Sequence, residues 1–321
     1  MTTVGRGKYT YELVQDWPKL PPGLSLSTTS SVATDSQDRV YVFQRGEPPV
    51  WVFERDGSYL DTWGHGSFIR PHGCYIQDDV IYLTDTDDSV AMRYTLDGRM
   101  LQIIGKRGQH SDSGTDVYGD LVPRAAPPFN HPTGLVPAPS GDLYAADGEK
   151  NCRVHRFTAD GRLISSWGDP GKMEPNQFHL PHGILVDGEG RVYVCDRENS
   201  RVQVFDGEGS VVSVWTDLRP PTDIAMDSDG AFYVSQFGFN ISHRYEGYPP
   251  PTGSGSALKD DQGRRTVRPD GPPQISILDR DGEVLASWES RKAHGLWVDG
   301  HGDIYTAVED EKSVDKYVRV G

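Results

Sequence analysis

Three histidines of this chain share the same local sequence pattern. They occur as Pro71-His72-Gly73, Pro181-His182-Gly183 and Ala293-His294-Gly295. Imidazole is a common ligand of zinc and related metals, and three protein ligands leave one coordination position open for water or substrate. One such histidine would be more typical of packing, but three in one pattern predict a catalytic metal site of His72, His182 and His294. The expected ion is Zn²⁺, with another divalent metal as the alternative.

A repeated segment must position these histidines. Each of six copies contains a strand with a tyrosine at the same place: Tyr41, Tyr82, Tyr144, Tyr193, Tyr233 and Tyr305. A turn rich in Asp and Gly precedes most copies, as in Asp187-Gly-Glu-Gly190, and such residues suit tight hairpins. Two further strands follow most copies. A repeat of about 40 to 50 residues with four strands is typical of a β-propeller blade.

The two chain ends complete the repeat. The sixth copy stops after its third strand, 316–320, whereas residues 9–17 resemble a missing fourth strand. We therefore predict an all-β, six-bladed β-propeller formed by a single domain, residues 1–321, with the N-terminal strand closing the last blade. Insertions at 106–129 and 239–273 are predicted to be loops near the central channel.

The repeat register places one residue of each blade at the mouth of the channel. In blade order this position holds Ser30, His72, Thr133, His182, Thr222 and His294. Histidines on alternate blades of a six-fold ring are about 120° apart, so their side chains converge from three directions. The glycine after each histidine is expected to let the backbone turn into the strand.

A second repeated position, just after each second strand, holds Arg45 on blade one and Arg197 on blade four. These arginines suit a substrate carboxylate or a developing oxyanion, or else salt bridges with local acids such as Glu198. Glu149 lies one residue beyond this position on blade three. It is a candidate general base or fourth metal ligand, and the alternative is a solvated loop acid.

Three further residues are candidates for substrate binding. His131 flanks the turn into blade three, where it either lines the entrance or has a structural role. Tyr118 and His243 lie in the two insertions, which are expected to reach the channel mouth.

The bulk composition limits the partners. The formal net charge is −15, which disfavours nucleic acid and anionic membranes and leaves a small-molecule substrate as the expected partner. No secretion signal or membrane span is apparent. The three cysteines, Cys74, Cys152 and Cys195, are expected to be free thiols, which together with the absent signal predicts a cytoplasmic protein. The oligomeric state stays open.

Several segments resemble a known family. The blade pattern resembles NHL repeats, and the segments 180–205, 130–149 and 167–178 are similar to peptidyl-α-hydroxyglycine α-amidating lyases and their bacterial relatives. The resemblance implies zinc bound by His72, His182 and His294, with Arg45 and Arg197 as functional arginines. It also implies C–N cleavage of a carbinolamide, which yields an amide and an aldehyde acid such as glyoxylate.

Two positions depart from that family. Glu149 stands where the family has a catalytic tyrosine, and its reference pKa of about 4.3 lies far below that of a phenol, about 10. Gly295 stands where the family has an aspartate ligand, so a structural Ca²⁺ is doubtful. Three hypotheses follow: a metal-dependent lyase acting on a small α-hydroxylated substrate, a metal-dependent hydrolase of lactonase or amidase type, and a non-catalytic NHL interaction module.

Overall fold

The computed structural model describes residues 2–238 and 271–321, which form six main antiparallel sheets. Strands β1 (Thr3–Arg6) and β2 (Tyr9–Leu13) belong to the last sheet. The first sheet contains β3 (Thr29–Thr34), β4 (Val40–Gln44), β5 (Val50–Phe53) and β6 (Tyr59–Trp63). The second contains β7 (Pro71–Gln77), β8 (Val80–Asp85), β9 (Val90–Thr95) and β10 (Met100–Gly105). The third contains β11 (Pro132–Pro137), β12 (Leu143–Asp147), β13 (Arg153–Phe157) and β14 (Leu163–Trp167).

The second half of the chain repeats this arrangement. A short parallel pair, β15 (Asp169–Pro170) and β16 (Gln177–Phe178), precedes the fourth sheet. That sheet contains β17 (Pro181–Val186), β18 (Val192–Asp196), β19 (Arg201–Phe205) and β20 (Val211–Trp215). The fifth contains β21 (Pro221–Met226), β22 (Phe232–Gln236), β23 (Gln274–Leu278) and β24 (Val284–Glu289). The sixth contains β25 (Ala293–Val298), β26 (Ile304–Val308) and β27 (Ser313–Arg319), followed by β2 and β1.

The innermost strands of the six sheets form a closed ring. Contacts run from β3 to β7, β11, β17, β21 and β25, and from β25 back to β3. Apolar side chains from neighbouring sheets pack into clusters between the blades, as Tyr144, Trp167 and Phe205 do between blades three and four. The six-bladed β-propeller predicted from the repeat is confirmed.

Each innermost strand contains a β-bulge at the residue predicted to face the channel. The pairing register shifts around each histidine, between Pro71 and Cys74, Pro181 and Ile184, and Ala293 and Gly295. The same irregularity surrounds Ser30, Thr133 and Thr222 on the alternate blades. A bulge redirects the side chain at the irregular position, and all six channel-mouth residues are presented in this way.

The recurrent tyrosine has a structural reason. The hydroxyl of Tyr193 donates a hydrogen bond to Asp187 Oδ2 at 3.0 Å, and Tyr233 donates to Asp227 Oδ2 at 2.9 Å. Asp187 Oδ1 also accepts the backbone N–H groups of Glu189 and Arg191, each at 2.9 Å, and so organises the hairpin turn. Tyr41 and Tyr305 contact Asp35 and Asp299 in the same way. In these four blades the turn aspartate and the strand tyrosine therefore stabilise each other, whereas Tyr144 donates to Gly207 O at 3.0 Å.

The N-terminal segment completes the sixth blade. Strand β2 pairs with β27 through Tyr11 and Arg319, Glu12 and Val318, and Leu13 and Tyr317. Strand β1 then adds a fifth strand to this blade, which the sequence did not predict. Among residues 2–238 and 271–321, no helix is long and apolar enough to cross a membrane.

The insertion at 106–129 folds back onto blades two and three without forming strands. Ser111 N–H donates to Phe129 O at 2.9 Å, which closes the insertion at its base. The Ser113 hydroxyl hydrogen-bonds to Lys150 O and accepts from Asn130 Nδ2 at 2.9 Å, so the insertion is tied to the loop that follows β12. Most of the second insertion, including His243, lies outside the described residues.

Candidate metal centre

His72, His182 and His294 converge in the central channel, as predicted. Their ring centroids are 4.7, 4.7 and 4.8 Å apart, which makes the triangle nearly equilateral. One ligand nitrogen from each ring lies within 4.8 Å of the other two. The residues are 2%, 3% and 4% exposed, so the three rings form an enclosed cluster.

The intervening blades fix the orientation of each ring. Nδ1 of His72 donates to Thr133 O at 2.9 Å, Nδ1 of His182 to Thr222 O at 2.6 Å, and Nδ1 of His294 to Ser30 O at 2.7 Å. A carbonyl oxygen can only accept, so each Nδ1 carries the proton and each Nε2 carries a lone pair. The residues between the histidines in the ring thus position the ligands through their backbones.

The glycine after each histidine makes room for this contact. A Cβ at Gly73 would lie 2.4 Å from Thr133 O, and one at Gly183 would lie 2.9 Å from Thr222 O. None of Gly73, Gly183 and Gly295 has a positive φ. Their function is the close approach of the neighbouring strand, rather than the turn expected from the sequence. At Gly295 a Cβ would lie 2.7 Å from Ser31 Cα, so an aspartate ligand for calcium would not fit there.

The electrostatics of the site favour metal ligation. Burial lowers the pKa of His72 to about 3, with neighbouring His182 and Arg45 acting in the same direction against Glu149. Burial likewise lowers the pKa of His182 and takes that of His294 well below its usual value. Nε2 of His72 and of His182 are buried without a hydrogen-bond partner among the described residues. Neutral imidazoles with inward-facing free nitrogens fit a divalent cation, which would satisfy both atoms.

Glu149 approaches this cluster from the loop after β12. Its Oε1 lies 3.5 Å from His72 Nε2, 3.6 Å from His182 Nε2 and 3.3 Å from Arg197 Nη1. Burial alone would raise the pKa of Glu149, but Arg197 and the two histidines outweigh it and hold that pKa well below its usual value. The residue is 9% exposed, so Glu149 is an ionised carboxylate inside the site and not a solvated loop acid.

Arg197 lies behind Glu149 and is enclosed by acids. It is 2% exposed, and its Nε donates to Glu198 Oε1 at 3.0 Å while Nη1 reaches Glu149. Its guanidinium also lies 5.9 Å from the ring of Phe237. Arg197 thus makes the salt bridge that the sequence offered as the alternative, and it positions Glu149.

Arg45 lies on the opposite side of the cluster and is more accessible. Its Nη2 donates to His294 Nε2 at 3.3 Å, and its Nη1 pairs with Glu309. Lys292 Nζ lies 3.6 Å from Glu309 and 4.8 Å from the centroid of Phe237. Glu309 and Phe237 occupy the same repeated position as the two arginines, but the repeat alone predicts no role for them, because only the fold brings them to the channel mouth.

Tyr118 and His131 meet near Glu149, whose N–H donates to His131 O at 3.2 Å. Their ring centroids are 5.1 Å apart, the Tyr118 hydroxyl hydrogen-bonds to Asp87, and His131 Nε2 lies 3.6 Å from the same carboxylate. Both residues line a cavity of about 780 Å³ between the first insertion and blades two and three. The cavity extends to Lys150, which follows Glu149 in the chain, so the two predicted binding residues lie in one cleft.

Known proteins similar to this chain include proteins with NHL repeats. Residues 178–205 match the NHL repeat. NHL repeat-containing protein 3 of Homo sapiens is 29% identical over 329 residues, covering 97% of this chain and 85% of that protein. Its Mus musculus counterpart is 30% identical over 261 residues, covering 76% of this chain and 71% of that protein.

Two further proteins similar to this chain are named as lyases. A probable peptidyl-alpha-hydroxyglycine alpha-amidating lyase of Caenorhabditis elegans is 30% identical over 158 residues, covering 49% of this chain and 42% of the lyase. The structure of a catalytically inactive virginiamycin B lyase from Staphylococcus aureus aligns with a TM-score of 0.59 at 15% identity, covering 97% of this chain and 100% of that one. The likeness to virginiamycin B lyase concerns the fold alone.

Proposed function

This chain belongs to the family of NHL repeat-containing protein 3, and we propose that it is a metal-dependent lyase. The proposed substrate is a small α-hydroxylated molecule of carbinolamide type, whose C–N bond is cleaved. The observation that carries the proposal is the set of three inward-facing Nε2 atoms, each held in place by a carbonyl bonded to Nδ1. The similarity to a named amidating lyase supports the reaction class.

We propose Zn²⁺ as the ion, since three imidazoles with an open position are typical of catalytic zinc. A divalent ion at His72, His182 and His294 would supply a Lewis acid for the substrate hydroxyl oxygen. Arg45 and Lys292 line the accessible side of the mouth, and their cationic groups suit a carboxylate on the substrate.

Glu149 is the proposed proton acceptor. The hydroxyl O–H bond breaks as its proton passes to the carboxylate, and the C–O bond becomes a carbonyl. The C–N bond breaks, its electron pair goes to nitrogen, and nitrogen takes up the proton. The products are an amide and an aldehyde or α-oxo acid. Arg197 acts through Glu149, because its Nη1 contacts Glu149 Oε1 at 3.3 Å while the arginine itself is enclosed.

The cleft that contains Tyr118 and His131 is the proposed location for the rest of the substrate. Burial, followed by the charges of Lys150 and His110, lowers the pKa of His131 to about 4, so its ring is neutral near pH 7. The lining also contains hydroxyl, amide and carboxylate groups, including Ser111, Asn130 and Asp116. This polar lining suits a substrate with several hydrogen-bonding groups.

Incubation of zinc-loaded protein with an N-acyl-α-hydroxyglycine tests the lyase proposal. The expected products are the primary amide and glyoxylate in equal amounts, formed faster than in buffer. His182→Ala should abolish the difference, whereas His301→Ala alters an exposed histidine outside the channel and should not. Equal rates in wild type and buffer across a panel of α-hydroxylated amides would contradict the proposal.

A metal-dependent hydrolase is the second candidate, and one observation favours it. Glu149 is a buried carboxylate where the resembling lyases have a tyrosine, and a carboxylate near a Lewis acid suits activation of water. Reaction in ¹⁸O-labelled water separates the candidates. Hydrolysis of a lactone or amide transfers the label into the product acid, whereas C–N elimination forms the amide without label. Turnover of neither substrate class by metal-loaded protein would favour a non-catalytic module.

A further inference from the structure

We propose that Oε1 of Glu149 binds the same divalent ion as the three histidines, so that the donor set is three imidazoles and one carboxylate. The inference rests on the proposed metal-dependent function and assigns Glu149 the role of metal ligand in addition to that of proton acceptor. The position holds a tyrosine in the lyases that this chain resembles, and the identity of residue 149 alone does not choose between a base and a ligand.

The distances from Glu149 to two of the histidines are close to those between ligands of one ion. Two donor atoms that lie about 2.1 Å from one ion at a tetrahedral angle are about 3.4 Å apart. Oε1 of Glu149 lies 3.5 Å from His72 Nε2 and 3.6 Å from His182 Nε2. One oxygen therefore stands at a co-ligand separation from two nitrogens at once.

The hydrogen-bond pattern favours a cation between these atoms. Each histidine uses its single N–H on a backbone carbonyl, so Nε2 of His72 and of His182 present lone pairs. The Glu149 carboxylate also presents lone pairs, and acceptors facing each other in a buried site repel unless a cation lies between them. Arg197 reaches the carboxylate, but neither Nε2 has a hydrogen-bond donor among the described residues.

The loop that carries Glu149 is built for this position. A Cβ on Gly148 would lie 1.8 Å from Pro181 O, so only glycine lets the loop pass this close to blade four. The Glu149 N–H donates to His131 O at 3.2 Å, and Arg197 Nη1 contacts Oε1 from behind. Contacts of this kind orient a ligand before the metal arrives.

A fourth protein ligand changes what the site binds. Four protein donors fill a tetrahedral shell, so Zn²⁺ or another ion at this site would have to take substrate as a fifth ligand, an expansion that zinc allows. A mixed nitrogen and oxygen donor set accommodates such coordination in several first-row divalent ions. With Oε1 on the ion, the second oxygen of Glu149 is left for the substrate proton.

Titration of metal-free protein with Co²⁺ against a competing chelator tests the assignment without any turnover. Loss of a group that only supports a ligand weakens metal binding about 10–100-fold. We therefore expect Glu149→Gln to weaken Co²⁺ binding by more than about 100-fold and to change the visible absorption of the bound ion. Glu198→Gln is the matched control, because it also removes a buried carboxylate bonded to Arg197. It should weaken binding by less than about 10-fold and keep the wild-type spectrum.

A smaller loss of Co²⁺ affinity in Glu149→Gln, with an unchanged Co²⁺ spectrum, would overturn the assignment. Failure of wild type to bind any ion would instead contradict the metal-dependent function itself, so the two failures are distinguishable. If Glu149→Gln does not fold, an anomalous-scattering map of Co²⁺-loaded wild-type crystals decides. We expect the ion about 2.0–2.2 Å from Oε1, and an ion separated from Oε1 by a water molecule would refute the proposal.

Discussion

Replacing Arg197 with methionine should destabilise the metal-free protein far more than replacing a similar arginine of the same blade. Arg197 is 2% exposed and contacts two carboxylates, Glu149 at 3.3 Å and Glu198 at 3.0 Å. Methionine retains most of the apolar volume and removes the charge. Arg191→Met is the matched control, since Arg191 also contacts two carboxylates, Asp187 at 3.0 Å and Glu189 at 2.8 Å, but its side chain is 29% exposed.

The difference in burial between Arg197 and Arg191 determines how much more stability Arg197→Met should lose. At an effective dielectric constant of about 20, opposite charges about 3 Å apart attract by about 5 kcal/mol, and the cost of removing the partners from water offsets most of this attraction. Deleting one member of a buried cluster leaves uncompensated charge, which typically costs about 3–5 kcal/mol of unfolding free energy. A partly exposed pair contributes about 1 kcal/mol or less. The two variants should therefore differ by at least about 2 kcal/mol.

Urea unfolding of chelator-treated proteins near pH 7, followed by circular dichroism and tryptophan fluorescence, measures both variants. Treatment with chelator matters because bound metal would stabilise the folded state and obscure the comparison. Arg197→Met should unfold at clearly lower urea than wild type, and Arg191→Met should unfold close to wild type. Equal effects in the two variants would refute the interpretation of Arg197 as the buried counter-charge of Glu149 and Glu198.

Three other predictions concern the fold and the site. Burial alone would raise the pKa of Asp187, but the backbone N–H of Arg191 and the Tyr193 hydroxyl lower that pKa overall. The ionised Asp187 therefore stabilises the folded protein above about pH 4. This stabilisation is lost as the pH falls through the lowered pKa. Asp187→Asn should be about 1–2 kcal/mol less stable than wild type at pH 7. Urea unfolding should show this difference in unfolding free energy becoming smaller below about pH 4. A difference that becomes larger there would contradict the lowered pKa of Asp187. Gly148→Ala should lower the unfolding free energy by about 1–3 kcal/mol or more, because the new Cβ clashes with Pro181 O. The control Gly188→Ala has open space around its Cβ and should change the thermal midpoint little. Equal midpoints in the two variants would show that the loop at 148 moves freely. Adding one equivalent of Zn²⁺ to chelator-treated wild type should raise the thermal midpoint, because the ion binds only the folded state, and an unchanged midpoint would argue against a preformed site.

The sequence predicts the fold and the histidine cluster well, because both depend on a repeat. The tyrosine at the same place in each copy fixes the register, and that register places His72, His182 and His294 on alternate blades. The bulge recurs in all six innermost strands, so a count along the sequence leads to equivalent positions in space. By contrast, the exposed β1 has no repeat counterpart and no alternation of buried residues, so the repeat does not predict it.

The charge pairs of the site could not be predicted in this way. Glu149 and Arg197 are 48 residues apart and meet only because Gly148 lets one loop pass close to the next blade. Arg45 and Glu309 are 264 residues apart and meet where the ring closes. Whether an arginine binds substrate or neutralises an acid depends on these distances, and residue types do not contain that information.

The metal content of the purified protein tests the central claim most directly. Wild type, His182→Ala and the surface control His301→Ala would be purified without added metal, reconstituted with Zn²⁺, desalted and measured by inductively coupled plasma mass spectrometry. Wild type and His301→Ala should each hold close to one ion per chain, and His182→Ala should hold almost none. Wild type that retains no ion, or His182→Ala that retains as much as wild type, would contradict a metal centre at the three histidines.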